Sequence, residues 1–400
     1  MRRATAVVLG FGCLALGDST VRAEAPVIGG HDVAAGKWRE VAAIGDTDPD
    51  NFPFCTGTLI APTVVLTAAH CIGSDLQKVV IGTNSLAHPE NGETIMVKSS
   101  KAYPNGLDSF DLGVVILMTP SAVPPRPIAA GWASLAIKTG ATATVAGYGG
   151  LDRDSMDFKD EMQEVDLPIT DEDCSHGNGC NAAAMPAGEL GAGGMGLDTC
   201  EGDSGGPLFV TGDLGTFLGG VTSRGYDDNQ YTCSEGGIYV RPDKAIKWIE
   251  DTAGVEVMKG PMPTWDALHA PRGGAADTHI DANDPSSSKH TFAITTPPKF
   301  GMAAVHNNGD VRVCTGADVT GPDTMTVTIA DANDSTRKLL VVMPINIENA
   351  DAPASCSLDD FGGDGGGCCS SSGHPAGSLA LSVGVLALIE RSSRRRRRRA

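Results

Sequence analysis

Four hundred residues are too many for one comfortable core and predict two or three domains. Forty-nine acidic side chains against thirty basic ones give a net charge of -19; residues 1–25 carry +1 and residues 368–400 carry +6, which leaves -26 on the chain between them. So acidic a body excludes nucleic-acid binding and should attract basic substrates through its field.

The chain opens on Arg2-Arg3, an apolar stretch from Ala4 to Leu16, and Ala23-Glu24-Ala25. A basic start, a short apolar run and an Ala-x-Ala ending describe a secretory signal peptide over residues 1–25, too short to span a membrane and cut after Ala25. Cys13 leaves with it. Pro26 alone then precedes Val27-Ile28-Gly29-Gly30-His31, which is followed by Gly36-Lys37-Trp38.

Short β-rich runs follow at Thr58–Ile60, Val64–Thr67, Val79–Ile81, Thr94–Val97, Leu112–Leu117, Thr142–Gly147, Pro207–Val210 and Phe217–Thr222, separated by Gly, Pro, Asn or Asp. Many short strands at such spacing suggest barrels or sandwiches. The stretch Asn181–Gly196 carries Gly191, Gly193, Gly194 and Gly196 without a following Gly-Lys-Ser/Thr, so a phosphate loop is rejected. Pro242-Asp243 starts a helix to Glu250 whose apolar face is Ala245, Ile246 and Ile249.

Three motifs within this body carry chemistry: Thr67-Ala68-Ala69-His70-Cys71, Phe110-Asp111-Leu112-Gly113-Val114-Val115 and Gly202-Asp203-Ser204-Gly205-Gly206-Pro207. A serine hydroxyl is a poor nucleophile unless an imidazole takes its proton, and a tight glycine-bounded turn exposes it beside backbone N–H donors. A carboxylate must hold the imidazole in one tautomer. The order His70, Asp111, Ser204, with these flanks, resembles the chymotrypsin/trypsin family of serine endopeptidases from about Val27 to Thr252. It differs from the order of the α/β-hydrolases and subtilisins.

The resemblance implies an all-β fold of two six-stranded antiparallel β-barrels with a C-terminal helix over 26–256. It implies Ser204 as nucleophile, His70 as base and then acid, and Asp111 as orienting carboxylate, with Asp108 a nearby competitor. Gly202 and Ser204 would supply the oxyanion-hole N–H groups. A freed Val27 amine would pair with Asp203, yet the missing activation peptide leaves open whether a short trim or a different signal cut frees it. Asp198 would floor the substrate pocket, with Ser223, Gly225 and Gly237 as substrate-binding neighbours, and cleavage would follow Arg or Lys. Arg224 stands where the family usually has an aromatic residue, and the stretches Asn181–Gly196 and Tyr226–Thr232 look inserted relative to the family. Cysteine pairs Cys55 with Cys71, Cys174 with Cys180 and Cys200 with Cys233 are implied too, and such bridges need export.

Beyond Thr252 the texture turns to loops rich in Pro, Gly and Asp before strands resume at His290–Pro298 and Met325–Asp334, with Asn308-Gly309-Asp310 as a hairpin turn. Residues 257–348 resemble one bacterial cadherin-like, immunoglobulin-type repeat, a small β-sandwich. Cys314 and Cys356 remain as its pair. Two Asp-Ala-Asn-Asp clusters, 281–284 and 331–334, offer calcium hard oxygen ligands, although acidic turns are usually just turns. The enzyme requires no cofactor on this reading.

Residues 349–367 form a Gly-rich linker, and 368–400 hold Cys368-Cys369, an apolar run from Leu379 to Ile389, Arg391 and the block Arg394–Arg399. This tail resembles the myxobacterial-type C-terminal sorting signal, which a processing protease removes; a plain tail anchor is the alternative, its arginines held on the cytoplasmic side. The expectation is a monomeric, secreted or surface-attached serine endopeptidase acting on protein or peptide substrates. Its rivals are the same triad with another primary preference, and an adhesion or binding protein on a protease-like scaffold.

Overall fold

The computed structural model describes residues 26–152, 154, 158–181, 184, 188–352, 356–358 and 361. The expected signal peptide, most of the linker and the whole tail, with Cys13, Cys368 and Cys369, lie outside the described residues.

A two-residue strand β1 (His31–Asp32) precedes the first barrel, which runs β2 (Val41–Gly45), β3 (Cys55–Ala61), β4 (Val64–Thr67), β5 (Lys78–Ile81), β6 (Glu93–Ala102) and β7 (Gly113–Leu117). These close in the order β2-β3-β4-β7-β6-β5. Side chains alternate between two cores, as a period of two requires. Ala42, Ile44, Leu59, Val65, Val79, Ile81, Val115 and Leu117 fill the barrel. Val41, Ala43, Ile60, Val64, Leu66 and Val114 face outward into a second core shared with Phe209, Leu218 and Val221 of the other barrel.

That second barrel comprises β8 (Thr142–Gly147), β9 (Gln163–Asp171), β10 (Glu189–Ala192), β11 (Pro207–Gly212), β12 (Gly215–Gly225) and β13 (Gly237–Val240). The order β9-β10-β13-β12-β11-β8 is closed by pairing of β8 with β9, and β1 adds to β9. Strand β10 corrects the reading of Asn181–Gly196 as an insertion, because all four of its residues are buried. Glu-Leu-Gly-Ala contains no β-branched residue, and it is extended because β9 and β13 pair with it on either side. The helix also starts later than expected. Pro242–Lys244 makes a 3-10 turn, the α-helix spans Ile246–Ala253, and Gly254 ends it at φ 69°.

The C-terminal part is a two-layer β structure. β14 (Leu268–Arg272), β16 (His290–Thr296), β19 (Gly321–Asp331) and β20 (Lys338–Asp351) form one sheet in the order β14-β20-β19-β16. β15 (Ala275–His279), β17 (Gly301–Val305) and β18 (Asp310–Thr315) form the other in the order β15-β18-β17. Ala303, Val305, Val311 and Val313 meet Met325, Val327, Ile329, Met343 and Ile345 between the sheets. Trp132 of the double-barrel part joins this core, and its Nε1 donates to the Ala282 carbonyl at 2.6 Å.

The two Asp-Ala-Asn-Asp clusters do not form a calcium cage. Arg337 lies between them, its Nη2 donating to Asp284 Oδ1 and Oδ2 at 3.0 and 2.9 Å, with its Nε 3.9 Å from Asp331 Oδ2. Asp281 and Asp331 accept amides of their own turns. A guanidinium already supplies the positive charge a cation would bring, so these residues do not fit calcium.

Candidate active site

Antiparallel pairing of β4 with β7 sets Thr67 opposite Gly113. The residues just past the end of β4 and just before β7 therefore meet, which brings together His70, in the turn Ala69–Cys71, and Asp111. His70 Nδ1 lies 2.9 Å from Asp111 Oδ2, and the His70 amide donates to Asp111 Oδ1 at 3.0 Å. The Cys55–Cys71 bridge ties the His70 turn to β3. Asp108 sits exposed in the turn Gly106–Asp108, whereas Asp111, against the His70 ring, is 1 % exposed. Burial alone would raise the Asp111 carboxyl; the hydrogen bond and charge of His70 and a hydrogen bond from Ser223 outweigh it and hold it below the ordinary carboxylate range.

The loop bearing Ser204 leads into β11 and docks on the first barrel. Thr56 donates its amide to the Ser204 carbonyl at 2.9 Å and its hydroxyl to the Gly202 carbonyl at 2.8 Å. Gly205 has φ +80°, and a Cβ there would lie 2.0 Å from Thr67 Oγ1, so only glycine lets the loop approach this closely. The Glu201 carbonyl accepts from Gly150 and the Asp203 carbonyl from Gly206, each at 2.8 Å. In a trans peptide the N–H points opposite the C=O. The Gly202 and Ser204 amides are thereby turned away from Gly150 and Gly206.

Asp203 is fully enclosed, and its two oxygens accept the Gly149 and Cys200 amides at 2.8 and 2.9 Å. Burial, with repulsion from Asp198, pushes its pKa up to about 7. Val27 is wholly buried in the core of the second barrel, and the Ile28 carbonyl accepts from the Asp198 amide at 3.2 Å.

Beside Ser204 opens a cavity of about 240 Å³ lined by Asp198, Thr199, Cys200, Ser223, Gly225 and Gly237, among others. The Asp198 carboxylate accepts amides of Thr199, Ser234 and Gly236, each at 2.9 Å, yet burial still lifts it to about 6. Gly225 pairs with Gly237, and the Cys200–Cys233 bridge clamps the cavity wall. The other bridges join Cys174 to Cys180 and Cys314 to Cys356. Ser223 borders the cavity but donates its hydroxyl to Asp111 Oδ2 at 2.6 Å.

Sequence reasoning did not find Glu189, whose carboxylate holds Arg224 through two hydrogen bonds of 2.9 and 3.1 Å. Thirty-five residues separate them, and no local signal joins them. Thr56 and Tyr239, whose hydroxyl lies 3.1 Å from Thr199 Oγ1, were missed for the same reason.

A family model described as Trypsin matches residues 27–249. The chain is 28 % identical to brachyurin of Leptuca pugilator over 244 residues, 57 % of this chain and 99 % of that protein. It is 28 % identical to trypsin-3 of Salmo salar over 235 residues, covering 56 % and 92 %. It is 32 % identical to glucanase inhibitor protein 3 of Phytophthora infestans over 235 residues, covering 56 % and 86 %. With a match over more than half its length on a double-barrel fold, the chain belongs to the trypsin family and is a serine endopeptidase.

Proposed function

We propose that Ser204, His70 and Asp111 cut peptide bonds through an acyl-enzyme, and that the cut follows Arg or Lys. The observation that carries the reading is the buried Asp111 holding the His70 ring, on a barrel to which the Ser204 loop is docked. Ser204 Oγ attacks the scissile carbonyl carbon as its proton passes to the imidazole. The Gly202 and Ser204 N–H groups receive the oxyanion, and His70 then gives the proton to the leaving amine as the C–N bond breaks. Water, deprotonated by His70, attacks the ester, and the returned proton regenerates the serine.

Asp198 in the cavity lining supports the basic preference, since a desolvated carboxylate forms a charge-assisted pair with a guanidinium or ammonium. The net charge of -26 between the terminal segments favours the approach of basic substrates. Activation would follow release of the Val27 amine, whose charge is what the enclosed Asp203 needs to ionise. Four disulfides support export, and the sorting-tail reading of 368–400 makes the mature protein secreted or surface-attached. Residues 257–348 would act as an accessory module of the cadherin-like type.

A fluorophosphonate probe tests the nucleophile: one equivalent bound at Ser204, located by peptide mass spectrometry, is expected, and labelling at another residue would refute the assignment. The name of the glucanase inhibitor relatives favours a second reading, a binding protein on this scaffold. It predicts no labelling and no turnover.

A further inference from the structure

Arg224 and Ser223 lie at an irregularity of β12, where the register with β13 shifts between Thr222 and Arg224. Such a bulge re-aims side chains. Ser223 points its hydroxyl at Asp111, and Arg224 Nη1 reaches that same oxygen at 3.1 Å. The guanidinium is itself fixed, by Glu189 through both carboxylate oxygens and by the Gly179 carbonyl at 2.8 Å. The Glu189 side chain is 2 % exposed and also accepts the Asn181 amide.

We propose that Arg224, clamped by Glu189, is a positioning residue for the triad: it fixes the Ser223 hydroxyl and, through it, the Asp111 carboxylate that orients His70. The inference rests on the triad reading above. A hydroxyl has one proton and two lone pairs, an ionised carboxylate only accepts and a guanidinium only donates. The Ser223 proton therefore goes to Asp111, and Arg224 takes a lone pair, so the rotor has one state. A buried carboxylate such as Glu189 needs a cation, and the planar guanidinium satisfies both its oxygens at once. The result is an unbroken series from Glu189 through Arg224, Ser223 and Asp111 to His70.

Two hydrogen bonds in series keep the guanidinium within about 6 Å of the Asp111 carboxylate. Its positive end faces the triad and Glu189 lies behind it. The other charged groups near Ser204, which are Asp198 and Glu201 in the cavity lining and the adjoining Asp203, are left in place in every variant below. Removing the cation favours the protonated imidazole; removing Glu189 disfavours it. The acid limb of the pH profile should thus move in opposite directions, each by on the order of half a pH unit.

The test measures kcat, KM and the pH profile on one peptide amide for Arg224→Met, Glu189→Gln, the double variant and Ser204→Ala, normalised by active-site titration. Arg224→Met is expected to lower kcat about tenfold with a smaller change in KM, and to raise the acid limb. Glu189→Gln should lower the acid limb. A rise in KM alone, or limbs moving the same way, would overturn the inference and leave Arg224 a wall of the cleft. If Arg224→Met does not fold, the double variant, which leaves no buried charge unpaired and in which the two opposite limb shifts largely cancel, decides: reduced kcat with an acid limb near its wild-type place supports the inference, and wild-type kcat overturns it. Turnover by Ser204→Ala would instead bring down the triad reading itself.

Discussion

Asp198 and Asp203 are two enclosed carboxylates on one loop, and the charge of Asp198 helps to keep Asp203 protonated. Burial raises both, Asp198 to about 6 and Asp203 to about 7. Their surroundings differ: Asp198 lines the cavity beside Ser204, and Asp203 is enclosed against the Gly149 and Cys200 amides.

For Asp198, the raised value means that the group is protonated below about pH 6 and ionised above it. Preference for an arginyl substrate over its citrulline counterpart should therefore grow as pH rises through that value. Ratios of kcat/KM at several pH values check this. A constant ratio, or a preference for Phe or Ala before the cut, would remove Asp198 from the role.

For Asp203, a folded-state value near 7 against an ordinary 3.8 makes the folded chain the better proton binder between those limits. With the Val27 amine blocked, the contribution is complete below about pH 4 and is lost as pH rises to about 7, on the order of 2–4 kcal/mol. On the proposed activation, a freed Val27 amine would reverse this by pairing with the ionised carboxylate. Thermal melts of Ser204→Ala protein with and without residues before Val27 should diverge across this window, and N-terminal sequencing of active wild-type protein should begin at Val27. Full activity from a chain still carrying Pro26 would refute insertion.

Ser204→Ala removes the proposed nucleophile and no packing, because the loop's contacts run through its backbone, including the Ser204 carbonyl. Peptide hydrolysis should fall by about a millionfold while the melting temperature holds. Retained turnover would end the assignment.

Trp132→Ala is expected to destabilise the junction of the two parts by about 3–5 kcal/mol, the usual cost of emptying an aromatic core position. The indole is 2 % exposed within the sandwich core and loses its bond to the Ala282 carbonyl. Denaturant unfolding should show residues 262–352 melting earlier, and a chain ending at 256 should expose Trp132 and aggregate. Unchanged unfolding of both would show that the contact adds nothing.

Much of the active site was legible because its signals are local. Gly202-Asp203-Ser204-Gly205-Gly206 specifies a turn through its own glycines, β-branched runs such as Val64–Thr67 between turn residues specify strands, and the order of the motifs needs no coordinates. Tertiary structure decided what depends on partners far along the chain. Asp111 rather than Asp108 meets His70 because β4 and β7 align. Glu189–Ala192 is a strand because β9 and β13 flank it, and Arg337 rather than an ion lies between the acidic turns. Arg224 looked only like a missing aromatic until folding set Glu189 behind it and Ser223 before it, since pairing energy depends on distance in space and leaves no periodic trace in the order of residues.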